Sequence, residues 1–213
     1  MASALINGLL QQGYLAKQLH VVEINAESRE KIKDIFGVSA LADLESGVID
    51  TDVIVLSVKP QHLHDLTQQL SPFLKRQLII SIVAGIRVGD IARWLGGYLR
   101  IVRTMPNTPS SIQCGVTGLY AAASVSEEDR KIAESILTAV GLTLWVEDEE
   151  MLHAVTAISG SGPAYVFYFI ESLQKAAAAL GLSSEEAKQL SLQTFVGVSK
   201  LASLSDKDIA ILR

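Results

Sequence analysis

Asp52-Val53-Ile54-Val55-Leu56-Ser57-Val58 is an almost unbroken apolar, β-branched run. A strand without a polar face has to be covered on both sides. Leu19–Ile24, Gln77–Val83 and Leu99–Val102 repeat the pattern, with helical periodicity between them at 26–36, 61–73 and 88–95. Strands that alternate with helices and are buried on both faces predict a parallel sheet between two helical layers. Right-handed crossovers then make the fold doubly wound, Rossmann-like α/β. The 26–36 helix is predicted to end at Gly37, and Met1–Leu10 reads as a first helix. No strand is predicted after Leu142–Glu147. The expected organisation is therefore a sheet domain over 1–147 and an all-helical domain over 148–213. Within the latter, Ser183-Ser184-Glu185-Glu186 has the form of a capping box, and Gly181 ends the helix before it. Tyr165 to Ile170 is apolar around the whole helix. A helix of that kind is buried on every side, and a second subunit is the expected cover.

Composition narrows the function classes. With 213 residues, 49% of them hydrophobic and 19% charged, the chain describes a globular protein with a large core. Its net charge of −5 includes no basic block, which argues against nucleic acid as a partner. The single Cys114 allows no internal disulfide and fits a reducing compartment. The N-terminus has no basic stretch before a cleavable apolar core, so no signal peptide is expected. The most apolar window, 162–182, contains Glu171, Gln174 and Lys175, so no membrane span is predicted. The expected location is the cytoplasm. His20, His62, His64 and His153 show no metal-ligand spacing, and no metal is expected.

Three predicted strand ends carry unusual residues: Ser57-Val58-Lys59-Pro60, Ser81-Ile82-Val83-Ala84-Gly85, and the proline-bounded Arg103-Thr104-Met105-Pro106-Asn107-Thr108-Pro109. Ligands of open α/β sheets sit outside such ends, so the three predict one crevice. Glu23 closes the strand before helix 26–36, where a carboxylate either accepts hydrogen bonds from the ribose of NAD or is simply solvated. Arg29 lies near enough in sequence to offset its charge. Ile158-Ser159-Gly160-Ser161-Gly162-Pro163-Ala164-Tyr165 has two readings. It is either a tight turn between helices or a helix start whose free N–H groups and hydroxyls receive an anion.

Taken in this order, Val58-Lys59-Pro60, Met105-Pro106-Asn107-Thr108-Pro109 and Ser159-Gly160-Ser161-Gly162-Pro163-Ala164-Tyr165 resemble the pyrroline-5-carboxylate reductases, over essentially the whole chain. That resemblance implies NAD(P)H-dependent reduction of 1-pyrroline-5-carboxylate to L-proline, by a homodimer or a pentamer of dimers. It implies that Met1-Ala2 occupy the last positions of a Gly-x-Gly-x-x-Ala loop, with Ala2 and Ser3 at the pyrophosphate. Val58, Lys59 and Pro60 then face the adenosine and ribose, Ala84 and Gly85 the nicotinamide, and Met105, Pro106 and Asn107 pack on its ring. Glu149, Ser159, Ser161 and Gly162 are implied to lie near substrate. Where many relatives carry Asn-Arg, this chain has Glu23-Ile24, which favours NADH over NADPH. A Thr-Ser-x-Gly-Gly-Thr-Thr loop that holds the substrate carboxylate is implied shortly beyond Arg213. With both glycine-rich loops outside these residues, weak binding by this polypeptide alone is the expectation. The motifs offer no acid or base as a catalytic residue. Two alternatives are a 3-hydroxyacid-type dehydrogenase and a non-enzymatic oligomer. The first requires a lysine early on the long helix, where Lys175 stands too far along.

Overall fold

The computed structural model describes Met1–Arg213. In chain order its elements begin with α1 (Ala2–Gln11), β1 (His20–Val22), α2 (Ala26–Phe36), β2 (Ser39–Leu41) and α3 (Leu44–Val48). They continue with β3 (Val53–Leu56), α4 (Pro60–Leu70), β4 (Leu78–Ser81), α5 (Val88–Trp94) and β5 (Ile101–Met105). Next come β6 (Gly115–Ala121), α6 (Glu127–Thr138), β7 (Gly141–Trp145) and α7 (Met151–Val155). The last helices are α8 (Gly162–Ala179), α9 (Ser184–Leu204) and α10 (Ile209–Leu212). By contacts the chain separates into Met1–Gly160 and Ser161–Arg213. This break falls later than Glu147 because α7 packs against β5 and β6.

The buried strand β4 accounts for the unbroken apolar runs. Leu78 and Ile80 enter one core cluster with Leu5 and Leu9 of α1 and Ile136 and Leu137 of α6. Ile79 enters the other, with Leu63 and Leu70 of α4 and Ile91 of α5. Alternate residues therefore serve opposite faces, each covered by helices, as a doubly wound sheet requires.

Two features depart from a single parallel sheet. β3–β7 form a five-stranded sheet in that order, while β1 and β2 make a separate parallel pair. Strand β6, which the sequence did not suggest, pairs antiparallel with β5. Only 106–114 separates these two strands, too short a link for the helical crossover that parallel pairing needs. Strand β5 also runs Ile101–Met105 rather than Leu99–Val102, so Arg103 and Thr104 belong to the buried sheet rather than to the loop. Helix α2 has the expected span, with Asn25 as N-cap and Gly37 in the left-handed conformation at φ 65°.

Outside the strands, Trp94 meets the edge of His64 at 5.0 Å between ring centres, and Arg130 lies 4.5 Å over Trp145. Helix α6 is fastened from both sides. Asp129 N–H donates to Ser126 Oγ, and the Asp129 carboxylate accepts from Arg100 Nε at 2.8 Å and also from Nη2. The Arg100 hydrogen bonds, with a smaller contribution from Ser126, hold the Asp129 carboxyl below its ordinary value against desolvation, which opposes them. Because the folded value is the lower one, the stabilisation is complete above the unfolded value of roughly 4 and fades as pH falls through it. Asp129 is buried while Arg100 reaches solvent, so Asp129→Asn is expected to cost about 2 kcal/mol at pH 7, between surface and buried pairs. Urea titrations should show this difference narrow below about pH 4. A difference constant with pH would exclude the ionised pair as its source.

Candidate functional site

Strands β3, β4 and β5 are parallel and in register at Leu56, Ser81 and Arg103. Their carboxyl ends therefore lie side by side, and the three expected segments leave from one edge. After β3 come half-buried Val58 and exposed Lys59, with Pro60 opening α4. After β4 the chain turns through exposed Ala84 and Gly85, whose φ of 80° suits glycine. An added Cβ at Gly85 would meet nothing within 4 Å, so the turn presents bare backbone. After β5 follow Met105, buried Pro106 and Asn107.

Asn107 is fixed at both ends of its amide. Its Nδ2 donates to Ser159 O at 3.1 Å, and its Oδ1 accepts from Val116 N–H at 3.0 Å. This joins the start of β6 to the glycine-rich knuckle. The knuckle is neither a tight turn nor a side-chain-capped helix start. Thr156–Gly160 forms one π-helical turn continuing α7. Ser159 Oγ donates back to Val155 O at 2.9 Å, and Ser161 stands at the N-cap of α8 with no side-chain cap bond. Gly160 lies against Met105: a Cβ there would come within 2.7 Å of Met105 Cε, the flexible tip of that side chain. The structure thus brings Met105, Asn107, Ser159 and Gly160 together in the first unit. Ser161 and Gly162 belong to the second.

Glu23 is half-buried, and its Oε1 accepts the Asn25 N–H at 2.8 Å. Arg29 does not neutralise this carboxylate. Its Nη1 donates to the main-chain carbonyls of Glu23 and Ile24 at 2.8 and 2.9 Å. Ala2 and Ser3 open α1, which has no side-chain cap and no acidic residue in its first turn. The first N–H groups of a helix have no intrahelical partner, so this end offers free donors.

Glu149 has partners within the protein that the sequence did not reveal. Its Oε1 accepts the Val88 N–H at 2.7 Å and Arg103 Nη1 at 2.8 Å. A buried arginine inside an apolar strand implies a carboxylate partner, which was the available signal. No group of three or more His, Cys, Asp or Glu residues is placed to hold a metal ion. No helix is long and apolar enough to cross a membrane.

Residues 149–213 match the family described as pyrroline-5-carboxylate reductase dimerisation, and residues 1–85 match that of coenzyme F420-dependent NADP oxidoreductase. The chain is 45% identical to a pyrroline-5-carboxylate reductase of Pseudomonas aeruginosa, across 100% of this chain and 78% of that protein. The solved pyrroline-5-carboxylate reductase of Coxiella burnetii superposes with a TM-score of 0.94 at 38% identity, covering 100% of this chain and 79% of that one. The Plasmodium falciparum pyrroline carboxylate reductase, solved with NADP bound, gives 0.87 at 31% identity over 99% and 78% of the two chains. Strand order, strand-end loops and these likenesses agree, and the chain belongs to the pyrroline-5-carboxylate reductase family.

Proposed function

We propose that the protein reduces 1-pyrroline-5-carboxylate to L-proline with NAD(P)H, the last step of proline biosynthesis. The observation that carries this reading is the alignment of three strand ends around the bare Gly85 turn, in a chain of this family. The residues present suit a dinucleotide. The first turn of α1 would present backbone N–H groups to a diphosphate at Ala2 and Ser3. Val58, Lys59 and Pro60 would line the adenosine and ribose side, and Ala84 and Gly85 the nicotinamide side. When bound, the dinucleotide supplies the hydride that saturates the C=N carbon.

The protein's part is largely placement. Gly160 admits the Met105 side chain, and Asn107 ties the loop after β5 to the π-turn. Met105, Pro106 and Asn107 thereby form a fixed wall, with Ser159, Ser161 and Gly162 assigned to the substrate side. If the imine nitrogen is protonated before transfer, hydride addition completes the amine with no further proton. That makes a dedicated side-chain acid unnecessary.

Residues 1–147 would serve the dinucleotide, and 148–213 dimerisation and the substrate. The protein forms a homo-oligomer, which we take to be a dimer or a pentamer of dimers, in the cytoplasm. Dimerisation would complete the site. Tyr165, Phe167 and Tyr168 are exposed in the single chain, which supports a partner over them.

The test mixes the full-length protein, with both glycine-rich loops that the family resemblance implies, with 1-pyrroline-5-carboxylate and either NADH or NADPH and follows reduced-nicotinamide absorbance. Consumption with a preference for NADH is expected, since the Glu23 carboxylate repels a 2′-phosphate. Glu23→Ala should raise relative use of NADPH about tenfold, the effect of removing one like charge at the ribose. No consumption of either cofactor refutes the reductase reading. An unchanged preference in Glu23→Ala refutes the role of Glu23.

A further inference from the structure

Both walls of the proposed nicotinamide site are tied to one carboxylate oxygen. Glu149 Oε1 receives the N–H of Val88, the first residue of α5, and Nη1 of Arg103 in the middle of β5. The corner between Ser81 and Val88 carries Ala84 and Gly85. Met105 stands two positions beyond Arg103 on the same strand. Arg103 is only 5% exposed, and Glu149 18%. Such a bond is shielded from solvent, and loss of Glu149 would leave a buried guanidinium without its partner. An outer ion pair, Arg87 Nη2 to Glu150 at 2.6 Å, fastens the same corner to the same loop. Thr104 Oγ1 donates to Ser81 O at 3.1 Å, so β4 and β5 are locked below the corner. Above that point, Glu149 is the side chain that spans from β5 to the start of α5.

We propose that Glu149 is a positioning residue for the dinucleotide. Its bonds to Arg103 and Val88 N–H fix the distance between the Ala84–Gly85 turn and Met105, and it acts on the nicotinamide through these walls. The inference rests on the reductase reading for what the walls hold, while the tie itself is independent of the substrate.

The most selective variant is Val88→Pro. Val88 occupies the first helical position, where proline is readily accommodated. Arg87 before it already has φ −78° and ψ 153°, the extended conformation that precedes proline. The change deletes one donor to Glu149 and puts the ring Cδ where that N–H pointed, which pushes the carboxylate off the start of α5 while Arg103 is kept. Because Val88 is also a buried core residue, Tm is read beside it. Glu149→Gln retains an acceptor without the charge, and Glu149→Ala removes both.

Dinucleotide affinity by calorimetry, amide hydrogen exchange over 82–89 in the free protein, and steady-state kinetics would be measured for each. Val88→Pro is expected to weaken NADH binding and raise its KM about tenfold, Glu149→Gln a few-fold, and Glu149→Ala about a hundredfold, the scale of a small misplacement of reacting groups. The pH profile of kcat should stay parental. In both Glu149 variants the Val88 and Gly89 amides should exchange faster. Parental NADH affinity in Val88→Pro and Glu149→Gln overturns the proposal. So does an altered pH profile at unchanged affinity, which would make Glu149 a proton donor. A parent protein that binds NADH without reducing the substrate refutes the reductase reading and leaves the affinity and exchange comparisons decisive for the tie.

Discussion

Phe167→Asp combined with Tyr168→Asp is expected to leave the protein monomeric and without reductase activity. These residues are 65% and 71% exposed in the single chain, although they lie on an 18-residue helix rich in aromatic side chains. Phe169 is different. It meets Phe195 of α9 at 5.6 Å between ring centres, so part of its surface is engaged within the α8–α9 hairpin. Burying a side chain of this size stabilises by about 2 kcal/mol, and an interface with a two-fold axis counts each substitution twice. The pair of substitutions then removes about 8 kcal/mol of association energy, roughly a million-fold in dissociation constant. Desolvating the new carboxylates adds to this. Sedimentation or light scattering reads the mass directly, and circular dichroism verifies that the helices remain. A double variant that keeps the parental mass would show that this face is not the contact between copies.

The second large effect falls in the sheet. Gly141 opens β7 at φ 142° and pairs with Gly115 of β6. A Cβ at Gly141 would lie 2.0 Å from Gly115 O and 2.6 Å from its carbonyl carbon and nitrogen. All three are backbone atoms, so no rotamer change relieves the overlap. Gly115 cannot retreat freely, because Ser110 Oγ and backbone crowd its other side. Gly141→Ala is therefore expected to cost about 4 kcal/mol, combining backbone strain with overpacking. At this chain length that corresponds to a fall in Tm of about 10 °C. Gly89→Ala is the control in the same unit. It has an ordinary φ and open space for the added methyl, and should be neutral or slightly stabilising. Equal Tm values for the two variants would contradict this account of the β6–β7 pairing.

Legibility in the sequence followed how local each cause was. Helix α2 was readable because its amphipathic pattern runs directly into its stop, Gly37. The capping box of Ser183 and Glu186 was readable for the same reason, and both reciprocal bonds form. Strand β6 was not, because its glycines at 115 and 118 imitate a turn. They are there for proximity: a Cβ at Gly118 would come within 2.7 Å of Val155. The expected end of β5 fell short at Val102 because Arg103 and Thr104 look like surface residues. What lets them be buried lies elsewhere, in Glu149 for the arginine and Ser81 O for the threonine. At the site, the strand-end loops were legible as a set. The two uses of the Asn107 amide and the tie through Glu149 were not, since each joins segments far apart in the chain.

The placement of the tryptophans divides what spectroscopy can see. Trp94, against the His64 ring edge, and Trp145, beneath Arg130, are the chain's two indoles, and both lie within Met1–Gly160. The α8–α9 hairpin contains only tyrosine and phenylalanine among its aromatic residues. Indole emission therefore follows the sheet unit, while far-ultraviolet dichroism sums helices from both units. If the two signals melt apart, the separation measures how independently the hairpin unfolds, with no label introduced.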